Sequence, residues 1–128
     1  MLLPNWEDKT ILIVEDDDIS MEFLTELLAS SKAKIITARD GRQAVNMCSE
    51  IENIDVVLMD VRLPMLSGIE AMNEIRIKKP ALPIIAQTAF AMSDDREKYL
   101  QFGFDDYISK PILIDKLIEK INQLFLSK

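Results

Sequence analysis

Val56, Val57, Leu58 and Met59 run without a polar interruption into Asp60, and a proline-bearing loop through Pro64 follows. A run this short, β-branched in its first half, is too brief for a typical buried helix and reads as an interior strand covered on both faces. The strand predicted over Asp55–Asp60 therefore delivers a carboxylate at its carboxyl end, the edge at which open α/β sheets bind ligands. Apolar runs at Thr10–Val14, Ala33–Ala38, Pro83–Thr88 and Asp105–Lys110 predict four further strands. The second of the five, interrupted by Lys34 and Thr37, suits an outer edge.

Helical spacing fills the intervals. A first helix is expected to start within Asp17–Ser20 and to bury Phe23, Leu24, Leu27 and Leu28. A second has Asp40 as N-cap with Gln43 three residues on, and a third opens with a Ser67-to-Glu70 capping box. A fourth is expected from near Ser93, with Asp94 and Asp95 in its first turn, a thin apolar face and a stop at Gly103. Pro111 suits the first turn of a last helix carrying Leu117, Ile118, Ile121, Leu124 and Phe125. Residues 1–9, with Pro4 and a locally packed Trp6, read as a leader or linker, and residues 10–128 as one domain. The alternation of strands and helices implies a doubly wound parallel sheet with right-handed crossovers. For five strands the flavodoxin-like (βα)5 order 2-1-3-4-5 follows, with the first and third strands adjacent at the point where the winding reverses.

The 128 residues carry a net charge of −7, one cysteine and no histidine. Lacking histidine, the chain excludes a Ser-His-Asp or Cys-His hydrolase and a His-ligated metal enzyme, so any histidine chemistry belongs to a partner. The negative charge argues against a direct nucleic-acid surface. A single cysteine, Cys48, forms no internal disulfide and falls on an apolar helical stripe. No apolar run approaches a membrane span, so a soluble, cytoplasmic chain without membrane contact is expected.

In the predicted order, Glu15 and Asp16 end the first strand beside Asp60, with neighbouring strands about 4.8 Å apart. Two unit charges at about 5 Å repel by roughly 3 kcal/mol at an effective dielectric of 20, so the group calls for a cation or for protons. An all-oxygen donor set favours Mg²⁺. Thr88 and Lys110, ending the fourth and fifth strands, reach the same edge and can stabilise charge developing on a phosphoryl group. Each signal alone has an ordinary reading as a turn or cap; complementary groups at four strand ends are far more specific.

These stretches resemble the receiver domain of two-component response regulators: Ile11-Leu12-Ile13-Val14-Glu15-Asp16, Asp60 through Pro64 with Gly68, Thr88-Ala89, and Tyr107-Ile108-Ser109-Lys110-Pro111. The resemblance runs from Ile11 to Phe125. It implies that Asp60 accepts a phosphoryl group, and that Glu15, Asp16, Asp60 and the backbone carbonyl of Arg62 hold Mg²⁺. It also implies that Thr88 and Lys110 contact the phosphoryl oxygens, and that Thr88 and Tyr107 form a switch. A cis peptide before Pro111 is a further family tendency. The implied donor is a histidine kinase or a histidine phosphotransfer domain, and the implied target a downstream output domain or protein. Arg62 and Phe90 are expected to restrict attacking water and lengthen the life of the acyl phosphate.

Other readings stay open at this stage. A haloacid-dehalogenase-type phosphatase also uses a strand-end Asp with Mg²⁺, but such enzymes usually carry a second Asp where this chain has Arg62. A P-loop kinase would need a G-x-x-x-x-G-K-[ST] motif, which the chain lacks. A receiver-like module that only binds partners is a third reading. No output segment is expected after the last helix, and the Trp6-bearing leader with Phe104 to Pro111 favours a hybrid-kinase receiver over a stand-alone regulator.

Overall fold

The computed structural model describes residues 4–89 and 95–126. The elements alternate as β1 (Thr10–Val14), α1 (Asp18–Ala29), β2 (Lys34–Ala38), α2 (Gly41–Glu50), β3 (Val56–Asp60), α3 (Gly68–Lys78), β4 (Ile84–Thr88), α4 (Asp95–Phe102), β5 (Asp106–Ser109) and α5 (Ile114–Leu126). All strand pairs are parallel, in the order β2-β1-β3-β4-β5. The expected doubly wound sheet and its strand order are borne out, with β2 at one edge and β3 at the centre.

Alternation along the strands divides the interior into two layers. Ile11, Ile13, Val56, Leu58, Ile85 and Ile108 face α1 and α5, where Met21, Leu24, Leu28, Leu117, Ile118 and Ile121 meet them. Leu12, Val14, Val57, Met59, Ile84 and Ala86 face the other way, against Ala44, Cys48, Ala71, Met72, Ile75 and Tyr99. Both faces are covered by helices, which explains strands without polar alternation. Burial raises the Cys48 thiol to about 11, a neutral packing group at neutral pH.

The helix starts follow local chemistry. Asp17 accepts from the Ser20 amide at 2.8 Å, Asp40 from the Gln43 amide at 2.7 Å, and Ser67 with Glu70 forms the expected reciprocal box. Gly103, at φ +121°, follows α4 in a conformation that suits glycine. No helix among the described residues is long and apolar enough to cross a membrane.

Two expectations are corrected. Phe23 is 48% exposed, because the face of α1 that meets the sheet is set by Met21, Leu24 and Leu28, and Phe23 lies off that line. Pro111 is not in the first turn of α5. The Lys110 amide still bonds to the Thr88 carbonyl at 2.8 Å and Ile112 turns inward, so the helix begins only at Ile114. The peptide between Lys110 and Pro111 is cis. Ser93 and Asp94, expected at the start of α4, lie outside the described residues.

Trp6 does more than pack locally. It is 5% exposed, stands edge-on to Phe125 at 5.4 Å and donates through Nε1 to Asn122 Oδ1 at 3.1 Å. Its amide bonds to the Ser31 carbonyl at 2.6 Å, and the Lys9 ammonium sits 5.0 Å from the Phe125 ring centre. Residues of the segment ahead of β1 thus close the end of the α1/α5 layer. Trp6→Ala is expected to cost roughly 3 kcal/mol of unfolding free energy, the loss typical of a buried large aromatic. Urea titration measures it, and a loss below about 0.5 kcal/mol would mean that Trp6 is not part of the core.

Candidate functional site

The sheet register decides which side chains meet. Glu15 continues the parity of Ile11 and Ile13, Asp60 that of Val56 and Leu58, and Lys110 that of Ile108, so all three project to the α1/α5 side at the carboxyl edge. Lys110 Nζ lies 2.7 Å from Glu15 Oε1 and 3.1 Å from Asp60 Oδ2. One carboxylate oxygen each of Glu15, Asp16 and Asp60 falls within 4.8 Å of the others; Glu15 and Asp60 are buried and Asp16 is exposed. They line a cavity of about 710 Å³ together with Arg62, Thr88, Lys98, Tyr99 and Lys110.

Backbone donors fix the acids. The Arg62 amide donates to Asp60 Oδ1 at 3.0 Å, and the Asp17 amide to Glu15 Oε2 at 3.2 Å. Burial pushes the Glu15 carboxyl up; the hydrogen bond from Lys110 works against this, and the neighbouring Asp60 adds to it. For Lys110 burial acts against the charged form, but the hydrogen bonds and charges of Glu15 and Asp60 together outweigh it and hold the ammonium above the usual lysine value. Three carboxylates meet at this point and Lys110 is in contact with two of them, so the group still offers anionic oxygens to a cation. Oxygen donors alone, one of them open to solvent, fit Mg²⁺ with water in its remaining positions.

Gly68 sets the site from beneath. A Cβ built there would stand 2.1 Å from the Asp60 carbonyl oxygen, and the Gly68 amide donates to the Val61 carbonyl at 2.9 Å. The glycine is required because α3 begins against the backbone of Asp60.

Thr88 has the opposite parity and faces the α4 side, where Tyr99 donates to its Oγ1 at 3.2 Å. The Tyr99 ring stacks on Tyr107, 5.9 Å between centres at 23°. The structure thus brings Glu15, Asp16, Asp60, Thr88 and Lys110 to one cavity and puts Arg62 on its rim, while Tyr107 is not among the residues lining it. Phe90 lies outside the described residues. Two residues were missed from sequence. Tyr99 was hidden in a helix that reads as polar. Gln87 lies in register with Asp60, and its fully buried carboxamide has no protein hydrogen-bond partner among the described residues. A glutamine within an apolar strand was the available signal.

A family model described as response regulator receiver domain matches residues 11–122. The chain belongs to that family. Receiver-domain relatives include the polar-differentiation response regulator DivK of Brucella ovis, 37% identical over 115 residues, with 88% of this chain and 93% of DivK covered. A cyclic di-GMP phosphodiesterase of Thermotoga maritima is 41% identical over 112 residues, but the chain spans only 30% of that protein. It spans 7% of the hybrid signal transduction histidine kinase I of Dictyostelium discoideum, at 40% identity over 88% of this chain. Among solved structures, the receiver of sensor histidine kinase PA1611 from Pseudomonas aeruginosa, with a magnesium ion in its active-site cleft, superposes at TM-score 0.82 and 37% identity, covering 91% of this chain and 96% of that one. The Saccharomyces cerevisiae complex of histidine phosphotransfer protein Ypd1 with the receiver of Ssk1 matches at TM-score 0.84 and 32% identity, over 97% and 91% of the chains. The receiver fold and its two-component signalling role are therefore common ground between this chain and these proteins.

Gly68→Ala is expected to cost more than about 3 kcal/mol and to displace Asp60, since overpacking against backbone has no soft neighbour to yield; urea titration and the Asp60 amide resonance test it. Gln87→Leu is expected to raise stability by roughly 1 kcal/mol by removing a buried amide that lacks a partner among the described residues. A marked loss would show that the carboxamide has a structural role.

Proposed function

We propose that this receiver takes a phosphoryl group from a partner phosphohistidine onto Asp60 in a Mg²⁺-dependent reaction and alters its surface for a downstream target. The observation that carries the proposal is the convergence of Asp60, two further carboxylates and Lys110 in one open cavity, with Lys110 Nζ 3.1 Å from Asp60 Oδ2. The Ypd1–Ssk1 complex supports a histidine phosphotransfer domain or a histidine kinase as donor, and the PA1611 receiver supports the metal.

In the proposed transfer an Asp60 oxygen forms a bond to phosphorus as the imidazole nitrogen–phosphorus bond breaks. The bonding pair returns to the imidazole, which takes up a proton from solvent. Arg62, through its amide, orients Asp60, and Glu15 anchors the Lys110 ammonium where charge spreads over the equatorial oxygens. Thr88 supplies a hydroxyl to the same oxygens. Glu15, Asp16, Asp60 and the Arg62 carbonyl would hold Mg²⁺, which when bound neutralises phosphoryl charge. Because the chain has no histidine, it cannot supply its own donor of this kind. The added charge on Asp60 is then read through Thr88.

Incubation with Mg²⁺ and acetyl phosphate is expected to add the mass of one phosphoryl group to the intact chain. Asp60→Asn or chelation should abolish the gain, and Lys110→Ala should slow it by about 10²-fold, the effect of removing one oxyanion-stabilising donor. An unmodified parent chain would leave the partner-binding module as the better reading. Sustained phosphate release from many phosphoesters would favour a phosphatase.

A further inference from the structure

We propose that Gln87 is a positioning residue for Lys110: its carboxamide turns within the small cavity beside it and accepts the third hydrogen of the Lys110 ammonium as Asp60 takes the phosphoryl group. The inference rests on the phosphoacceptor reading above.

The register places Gln87 between the groups that meet at the site. It pairs with Asp60 on β3 and with Ile108 on β5, so its side chain leaves β4 on the α1/α5 side, the side taken by Asp60 and by Lys110. Lys110 follows β5 yet its ammonium reaches Glu15 after β1 and Asp60 on β3, so it spans β4 on the face where Gln87 stands. Gln87 is fully buried, and neither its Oε1 nor its Nε2 has a hydrogen-bond partner among the described residues. A buried amide without a partner is costly, and a leucine or methionine would fill the strand end without that cost. A cavity of about 90 Å³, lined by Ser20, Phe23 and Leu24 of α1 with Gln87, Lys110 and Ile112, adjoins both side chains. The carboxamide thus has room to turn, and Lys110 stands on the same cavity.

The ammonium is one acceptor short. A lysine ammonium has three N–H donors and no acceptor. Glu15 Oε1 at 2.7 Å and Asp60 Oδ2 at 3.1 Å take two of them, and the third has no protein acceptor among the described residues. Transfer alters the Asp60 contact. Once an Asp60 oxygen is bonded to phosphorus, the carboxylate has lost its charge and the phosphoryl oxygens are the stronger acceptors, so one ammonium hydrogen turns to them. The flexible stem of a lysine does not hold that direction by itself. With Glu15 on one hydrogen and the carboxamide oxygen of Gln87 on a second, the remaining hydrogen is aimed at the phosphoryl group. A neutral amide suits this place, because another carboxylate would add repulsion beside Glu15 and Asp60. The amide is unpaired at rest and paired at the step that needs it.

Gln87→Leu and Gln87→Met both remove the amide, and the second keeps an unbranched chain. With Mg²⁺ and acetyl phosphate each is expected to label at Asp60 about five-fold more slowly than the parent, the effect of one hydrogen bond of ordinary net strength. Urea titration should show no loss of stability in either, so rate and stability move apart. In a Lys110→Ala background neither substitution should slow labelling further. Labelling within two-fold of the parent in both variants would overturn the inference, since solvent would then serve the third hydrogen. So would a slowing that persists undiminished in Lys110→Ala, or one accompanied by lost stability in both variants, because either marks packing of the strand end rather than the ammonium. A parent chain that labels normally while these tests fail removes only the role of Gln87; a parent that takes no phosphoryl group removes the phosphoacceptor reading and this inference with it.

Discussion

The ammonium of Lys110 sits against two buried carboxylates that come from different strands, and the arrangement of the carboxyl edge depends on it. Glu15 ends β1, Asp60 ends β3, and Lys110 follows β5 and reaches across the end of β4 to both. Without a cation the two acids would repel in a partly desolvated setting, where burial already favours the neutral form of Glu15. With one, the repulsion between Glu15 and Asp60 is offset at the point where they approach each other. The carboxylate oxygens that remain, with Asp16 open to solvent, form a donor set that fits a divalent cation.

The framework was legible because the chain states it at several levels at once. Five apolar runs bounded by caps and turns lead to one parallel order, and that order places Glu15, Asp16, Asp60, Thr88 and Lys110 together without knowledge of a contact. The misreadings have local physical causes. Phe23 was assigned inward because it sits among leucines, yet the phase of α1 is fixed by the three residues that touch the sheet. Pro111 looked like a helix opener, but strand pairing continues past it through the Lys110 amide. Trp6 precedes the first periodic segment, so sequence periodicity cannot tell that it closes a layer.

Tyr99 illustrates a different limit. A helix with one inward residue carries almost no periodic signal, and its composition reads as solvated surface. The tertiary partners that matter, Thr88 and Tyr107, lie on two other strands. Gln87 was visible as an oddity in β4, but only the register shows that it stands beside Asp60.

The parity of β4 has a consequence for how the two layers meet at the site. Gln87 and Thr88 are successive residues that face opposite layers, the first toward α1 and α5, the second toward α4. Acid and ammonium lie on one side of the sheet, and the aromatic ring set of Tyr99, Phe104 and Tyr107 on the other. The two sets meet at the carboxyl edge, because Thr88 and Tyr99 line the cavity that holds the acids and the ammonium. A substitution at Thr88 therefore reaches both groups at once, the acid-lined cavity and the aromatic rings beside it.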